Sequence, residues 1–128
     1  MELDEGHAIF LGPGEGESVP GPHRTLNVKA ERGEYEITEM DCSPEFGPVE
    51  PHVHDDHTDS FYVLDGEVEF TIGDKTVRAG PGTFVAVPAG VHHGFRNPGP
   101  GRARFLNIHA PGTGFIESVR NRYGRTED

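Results

Sequence analysis

The chain has 128 residues, 33% of them hydrophobic, with 18 Gly and 11 Pro; that length sets a single core, and that Gly/Pro content excludes a helical bundle. A net charge of −11 works against nucleic acid and anionic membrane surfaces as partners. One Cys excludes an internal disulfide and no apolar run approaches a membrane span; with a start that lacks the basic and apolar regions of a signal peptide, these features point to a soluble cytoplasmic protein.

In chain order, residues 12–23 are rich in Gly and Pro and read as a surface loop; no Lys or Ser/Thr follows in the spacing of a phosphate-binding loop. Residues 25–30 and 34–42 read as strands, the second with a clear two-residue alternation. A Pro/Gly connection covers 43–51, and a strand carrying His52 and His54 is expected over 49–55. Residues 61–64 and 67–72 flank Asp65-Gly66, a hairpin signal because that dipeptide accepts positive φ. Gly73-Asp74 turns the chain into 75–79, and Gly80-Pro81-Gly82 into 83–87. A strand over 91–96, a loop over 97–101, a strand over 102–110 and a short closing helix over 115–123 complete the pattern. Nine or ten short strands separated by turn residues indicate an all-β sandwich or barrel.

Five of the eight histidines fall in two clusters, His52, His54 and His57, then His92 and His93. Histidines at i and i+2 of a strand share a face. Neutral imidazole is the commonest side-chain metal ligand, and a carboxylate such as Asp59 neutralises charge. Three His and one carboxylate leave open positions on a five- or six-coordinate ion, which separates a reactive site from a closed structural one.

The punctuation around these residues resembles the two-part signature of the cupin superfamily. The first part reads Gly47-PVEP-His52-Val-His54-DDHT-Asp59-SFYVLD-Gly66, and the second Gly82-TFVAV-Pro88-Ala-Gly90-VH-His93-GFR-Asn97. Residues 10–15 and 109–115 are similar to segments of small cupins related to quercetin dioxygenase. The resemblance implies a double-stranded β-helix or jelly-roll barrel, a single domain over 1–128 with motifs at 47–66 and 82–97, and His52, His54, Asp59 and His93 as metal ligands. Two departures are visible. Four residues, not five, separate Gly47 from His52, which a loop absorbs. Asp59 stands where the family has Glu, and its side chain is one methylene shorter, so it either ligates more rigidly or falls short and leaves a three-His site completed by water or His57.

His57 is then an exposed loop residue, a ligand or a proton shuttle. His109, expected on one face with Phe105 and Asn107, is a core histidine or a pocket residue that orients substrate or moves protons. His57 and His109 are the catalytic candidates. His92 should point away from His93. Phe61, Val63, Phe70, Phe84, Phe95 and Phe105 are the expected apolar lining, Cys42 is read as structural, and Arg120, Arg122 and Arg125 make a basic C-terminal segment. The leading expectation is a mononuclear enzyme of dioxygenase type, using Fe, Mn, Ni or Cu on a small-molecule substrate. A Zn²⁺ Lewis-acid isomerase or cyclase, or a cupin that binds a small ligand without catalysis, are the alternatives. Sheet-edge pairing makes a homodimer the expected assembly.

Overall fold

Alternation of inward and outward side chains builds two antiparallel sheets. The computed structural model describes residues 6–124. Ten strands are present among the described residues: β1 (Ser18–Gly21), β2 (Arg24–Glu31), β3 (Glu36–Cys42), β4 (Val49–His52), β5 (Thr58–Asp65), β6 (Val68–Ile72), β7 (Lys75–Ala79), β8 (Phe84–Val87), β9 (His93–Arg96) and β10 (Ala103–Ala110). One sheet has the order β1-β2-β3-β10-β5-β8, the other β4-β9-β6-β7. Their inner faces close on one another as a double-sheet jelly roll with a short C-terminal helix, α1 (Phe115–Val119), as the pattern predicts.

The core lies between the sheets. Leu26, Met40, Val63, Phe61, Phe70 and Phe105 are all buried. Phe61 sits 4.9 Å from Phe70, 5.6 Å from Phe95 and 5.9 Å from Phe105, ring centre to ring centre, which makes an aromatic cluster at one level of the barrel. Gly66 takes φ +75° in the β5–β6 turn, and a Cβ there would stand 2.3 Å from the Arg102 carbonyl oxygen. Glycine is therefore required twice over at this point of the first motif.

Four expectations need correction. The Gly/Pro-rich segment 12–23 is not wholly loop, because it contains β1, where Val19 faces Leu26 across β2 and is buried. Pro20 is tolerated there because β1 is the outermost strand of its sheet. The histidine strand ends at His52, so His54 does not lie on it. Phe84 is 59% exposed, since it pairs with Tyr62 on the outer face while Val87, three residues on, faces inward. The closing helix is regular only to Val119 and continues as a π-helical turn, Arg120–Gly124.

Two carboxylate systems fasten that C-terminal segment. Arg120 bridges Glu17, Glu31 and Glu117. Buried Glu36 on β3 accepts the backbone N–H groups of Thr113 and Gly114 at one oxygen and of Ile116 at the other. Arg125 and both chain ends of the expected 1–128 domain lie outside the described residues. No helix among those residues is long and apolar enough to cross a membrane.

Candidate metal centre

Register carries the donors to one place. His52 on β4 is the direct cross-strand partner of His93 on β9, and Asp59 on β5 is the partner of His109 on β10. The first pair belongs to the small sheet and the second to the large one, so the cluster spans the space between them. Gly94 lets the small sheet close, because a Cβ there would lie 2.4 Å from the Val49 carbonyl oxygen.

His54 reaches the cluster without a strand. The backbone N–H of Gly90 donates to the His54 carbonyl at 2.7 Å, so the Pro88-Ala89-Gly90 turn of the second motif clamps the loop that carries a histidine of the first. The Asn97 side chain ties a second loop, donating to the carbonyls of Cys42 and Gly101 and accepting from the Gly99 N–H.

Ligand-type atoms of His52, His54, Asp59 and His93 all lie within 4.8 Å of one another. The Nε2 atoms of His52 and His54 are 3.0 Å apart. Asp59 does not fall short of the cluster: its Oδ2 stands 2.9 Å from His93 Nε2 and 3.6 Å from His54 Nε2. Outer partners fix the rings. His52 Nδ1 donates to the Glu50 carbonyl and His93 Nδ1 to the Val91 carbonyl, which turns each Nε2 inward. Three imidazole nitrogens and one carboxylate oxygen converging in this way form a donor set that fits a divalent transition metal ion.

The other Asp59 oxygen is equally occupied. Oδ1 accepts from Asn107 Nδ2 at 2.7 Å and lies 3.3 Å from His109 Nε2. His109 Nδ1 lies 3.2 Å from Thr113 Oγ1, and that oxygen accepts the Phe115 N–H. With Nε2 donating to Asp59, Nδ1 accepts the Thr113 hydroxyl proton, and a directional chain runs from the C-terminal segment into the cluster. His109 is thus buried in the cavity wall with both nitrogens engaged.

His57 is not an exposed loop residue but only 6% exposed. Its ring lies 4.1 Å from that of His54 and 4.9 Å from that of His109, centre to centre. Nδ1 is held by Asp56 at 2.9 Å, and Nε2 is buried with no hydrogen-bond partner among the described residues. His92 is exposed, as its place next to His93 predicts.

Burial and the neighbouring His57 and His52 pull the His54 imidazole down to about 4, so it is a bare donor at neutral pH. Burial pushes the Asp59 carboxyl up, but hydrogen bonds from His109, His93 and Asn107 outweigh it and hold the group ionised well below the usual carboxylate range. Burial lowers His93, while its bonds to Asp59 and the Val91 carbonyl more than offset this and raise it. Cys42 is buried and its thiol is pushed up to about 11, first by burial and then by Asp41, which suits an inert structural residue.

The cluster faces a cavity of about 120 Å³. Met40, Phe61 and Phe95 give it an apolar wall, and Asn107, His109 and Arg24 supply further polar groups. Phe115, from the C-terminal segment, packs against His109 with ring centres 4.9 Å apart and planes tilted by 52°, and helps to line it. Arg24 and Glu36 were missed by pattern reading. Each stands at a two-residue position on an otherwise uncharged inner face, Arg24 before Leu26 and Val28, Glu36 before Thr38 and Met40. A charge in phase with a buried face was the available signal.

The family model named Cupin_2, the cupin domain, matches residues 38–109, more than half of the chain and all four donors. The chain belongs to the cupin family. Quercetin 2,3-dioxygenase of Bacillus subtilis (strain 168) is 28% identical to this cupin over 99 residues, 74% of the chain but 29% of the relative's own length. Among solved structures, KdgF from Halomonas sp. superposes with a TM-score of 0.74 at 18% identity, covering 84% of this chain and 96% of that one. A double-stranded β-helix protein from Klebsiella pneumoniae gives a TM-score of 0.61 at 25% identity, with 80% and 84% covered.

Proposed function

We propose that this cupin is a mononuclear metal-dependent enzyme of dioxygenase type acting on a small organic molecule, with His52, His54, His93 and Asp59 holding the metal. The observation that carries this reading is the convergence of those four donors, three of which line a cavity that Met40, Phe61 and Phe95 wall on its apolar side. The 28% identity to a quercetin 2,3-dioxygenase supports the reaction class. When bound, a redox-active ion at this donor set supplies electron transfer to dioxygen and polarisation of a substrate oxygen.

The chain's own residues divide the remaining work. Asn107 and His109 fix Asp59 Oδ1 and so would orient this carboxylate as a ligand to a bound ion. His109 has no free nitrogen and acts as a positioning residue. His57 is the proton-transfer group: Asp56 holds Nδ1, and Nε2 is buried and unengaged beside the cluster. Phe61, Phe95 and Met40 exclude water from the reacting end of the substrate.

Elemental analysis of protein purified without a metal-chelating step tests the reading, followed by oxygen-uptake screens with small organic substrates, carboxylic acids as well as phenols and diones. We expect about one Fe, Mn, Ni or Cu per chain and measurable uptake. Replacing His52→Ala and His54→Ala together should remove both metal and uptake. Retention of metal by that double variant would overturn the site. Zn²⁺ alone, with no uptake after reconstitution with the redox metals, would replace dioxygenase with Lewis-acid chemistry.

A further inference from the structure

Arg24 is the cation of the cavity wall, and it is not spent on a carboxylate. It occupies the inner face of β2, in phase with Leu26 and Val28, and stands between the cavity that holds His52, His54 and Asp59 and a smaller neighbouring pocket lined by Phe46 and Tyr123. Among the described residues it forms no ion pair and no hydrogen bond to an acid. The titratable groups that act on it are Tyr123, Cys42 and Arg122, none of them a carboxylate. In this chain of net charge −11, Arg78, Arg96, Arg102, Arg104 and Arg120 all pair with Asp or Glu. The Arg24 guanidinium carbon lies 4.7 Å from the centre of the Phe46 ring. A cation over a ring face is attracted to it without using a hydrogen-bond donor, so the guanidinium N–H groups remain for another partner.

We propose that Arg24 is the substrate-anchoring residue of this site and that the substrate is a small monocarboxylic acid, its carboxylate on Arg24 and a second oxygen donor turned toward the His52/His54/His93/Asp59 cluster. The second half of that statement rests on the metal reading above; the first does not. A single fork of N–H donors matches a carboxylate bidentately, whereas a dianionic phosphate calls for more cations than this wall offers. Asp59 is the sole carboxylate lining the cavity among the described residues. A divalent ion and Arg24 together outweigh it, so the loaded cavity is a positive pocket in an acidic protein.

The test is an NMR titration of the ¹⁵N-labelled protein, Zn²⁺-loaded and metal-free, with glycolate, 3-hydroxypropanoate and 4-hydroxybutanoate, each against its primary amide, and with inorganic phosphate. The best acid should bind at least about tenfold tighter than its amide and shift the Arg24 Nε–H resonance. Arg24→Met, which keeps the stem over Phe46, should abolish the acid preference without changing Zn²⁺ content. Arg24→Lys should keep a reduced preference, and it serves as the charge-retaining variant if Arg24→Met does not fold. Equal binding of acid and amide, no binding of any acid, or a preference that survives Arg24→Met would overturn the proposal. So would phosphate outcompeting every acid. A preference that requires Zn²⁺ and survives Arg24→Met would assign the carboxylate to the ion instead. A protein that takes up no Zn²⁺ refutes the metal reading separately, because the metal-free arm still reads Arg24 by itself.

Discussion

The barrel interior has two ends, and the same strands build both. On β5, Asp59 is followed two residues on by Phe61; on β9, His93 by Phe95; on β10, Phe105 is followed by Asn107 and His109. Each step of two moves along one inward face from an aromatic floor to a polar cluster. The floor is stabilised by apolar burial and ring packing, with Phe61 and Phe105 at 1% and 0% exposure. The cluster instead gathers a carboxylate and five imidazoles, those of His52, His54, His57, His93 and His109, where burial disfavours charge, and it keeps its order through hydrogen bonds. One end is held by apolar packing and the other by polar contacts around the candidate metal site, and the two should respond differently to perturbation.

The largest effect is expected at the floor. Phe105→Ala should cost about 3–5 kcal/mol of unfolding free energy, because a fully buried ring leaves a cavity that strands on both sides cannot collapse to fill. Urea unfolding measures this. Where the variant remains folded, it should still bind one metal ion with little change in affinity. A variant that loses the metal while losing little stability would show that the two ends are one cooperative unit rather than two.

The floor and the frame of the cluster were legible in sequence because they rest on period and punctuation. Two-residue alternation placed Phe61, Phe70 and Phe105 inside, and the glycine spacing around Gly66 and Gly90 marked the turns. His52, Asp59 and His93 followed from motif spacing that resembles the cupin signature; Asp59 lay just outside the expected strand over 61–64, which in the structure begins at Thr58. His54 reached the same cluster for a reason that pattern did not give, the Gly90 N–H that clamps its carbonyl. The burial of His57 was not legible for a related reason: its segment is not a strand, so no periodicity chose between the exposed loop residue and the ligand or proton shuttle. Phe84 failed the other way, since hydrophobicity alone put it inside while the phase of Val87 put it out. Arg24 and Glu36 violate the inner-face pattern, and such violations mark sites where a charge has work to do.

Acid should separate the two ends next. In metal-free protein the His54 pKa is lowered to about 4, against about 6.5 in the unfolded chain. The unfolded state therefore takes up this proton first, and stability is lost as pH falls from about 6.5 toward 4. His93 is shifted upward, so its contribution is present below about 6.5 and fades as pH rises through its folded value, opposing His54 in the same window. Asp59, shifted downward, contributes above about 4 and loses that contribution at lower pH. Urea midpoints at pH 7, 5.5 and 4.5 should fall more steeply for the wild type than for His54→Ala, with Phe105→Ala keeping the wild-type slope. Parallel slopes for all three would mean that the cluster does not set the acid response. Metal affinity should fall by about tenfold per pH unit once His93 is protonated, since its Nε2 must lose a proton to ligate.

The smallest effect is the most specific. Thr113→Val removes the hydroxyl that bonds His109 Nδ1 and accepts the Phe115 N–H, while keeping the shape of the side chain. Glu36 still pins the Thr113, Gly114 and Ile116 backbone in this variant, so the C-terminal segment stays in place. What changes is the tautomer constraint on His109 and, through it, the orientation of Asp59. Stability should drop by about 1 kcal/mol, the net value of a hydrogen bond. Metal affinity should drop by about tenfold, as it does when an outer partner of a ligand is lost. The ring nitrogens of His109 report the cause directly: in ¹⁵N NMR of the wild type Nε2 should carry the proton, and in Thr113→Val the two tautomers should mix. Reduced affinity with an unchanged His109 tautomer would place the effect in the C-terminal segment itself, and the chain from Thr113 to Asp59 would no longer link the fold to the metal centre.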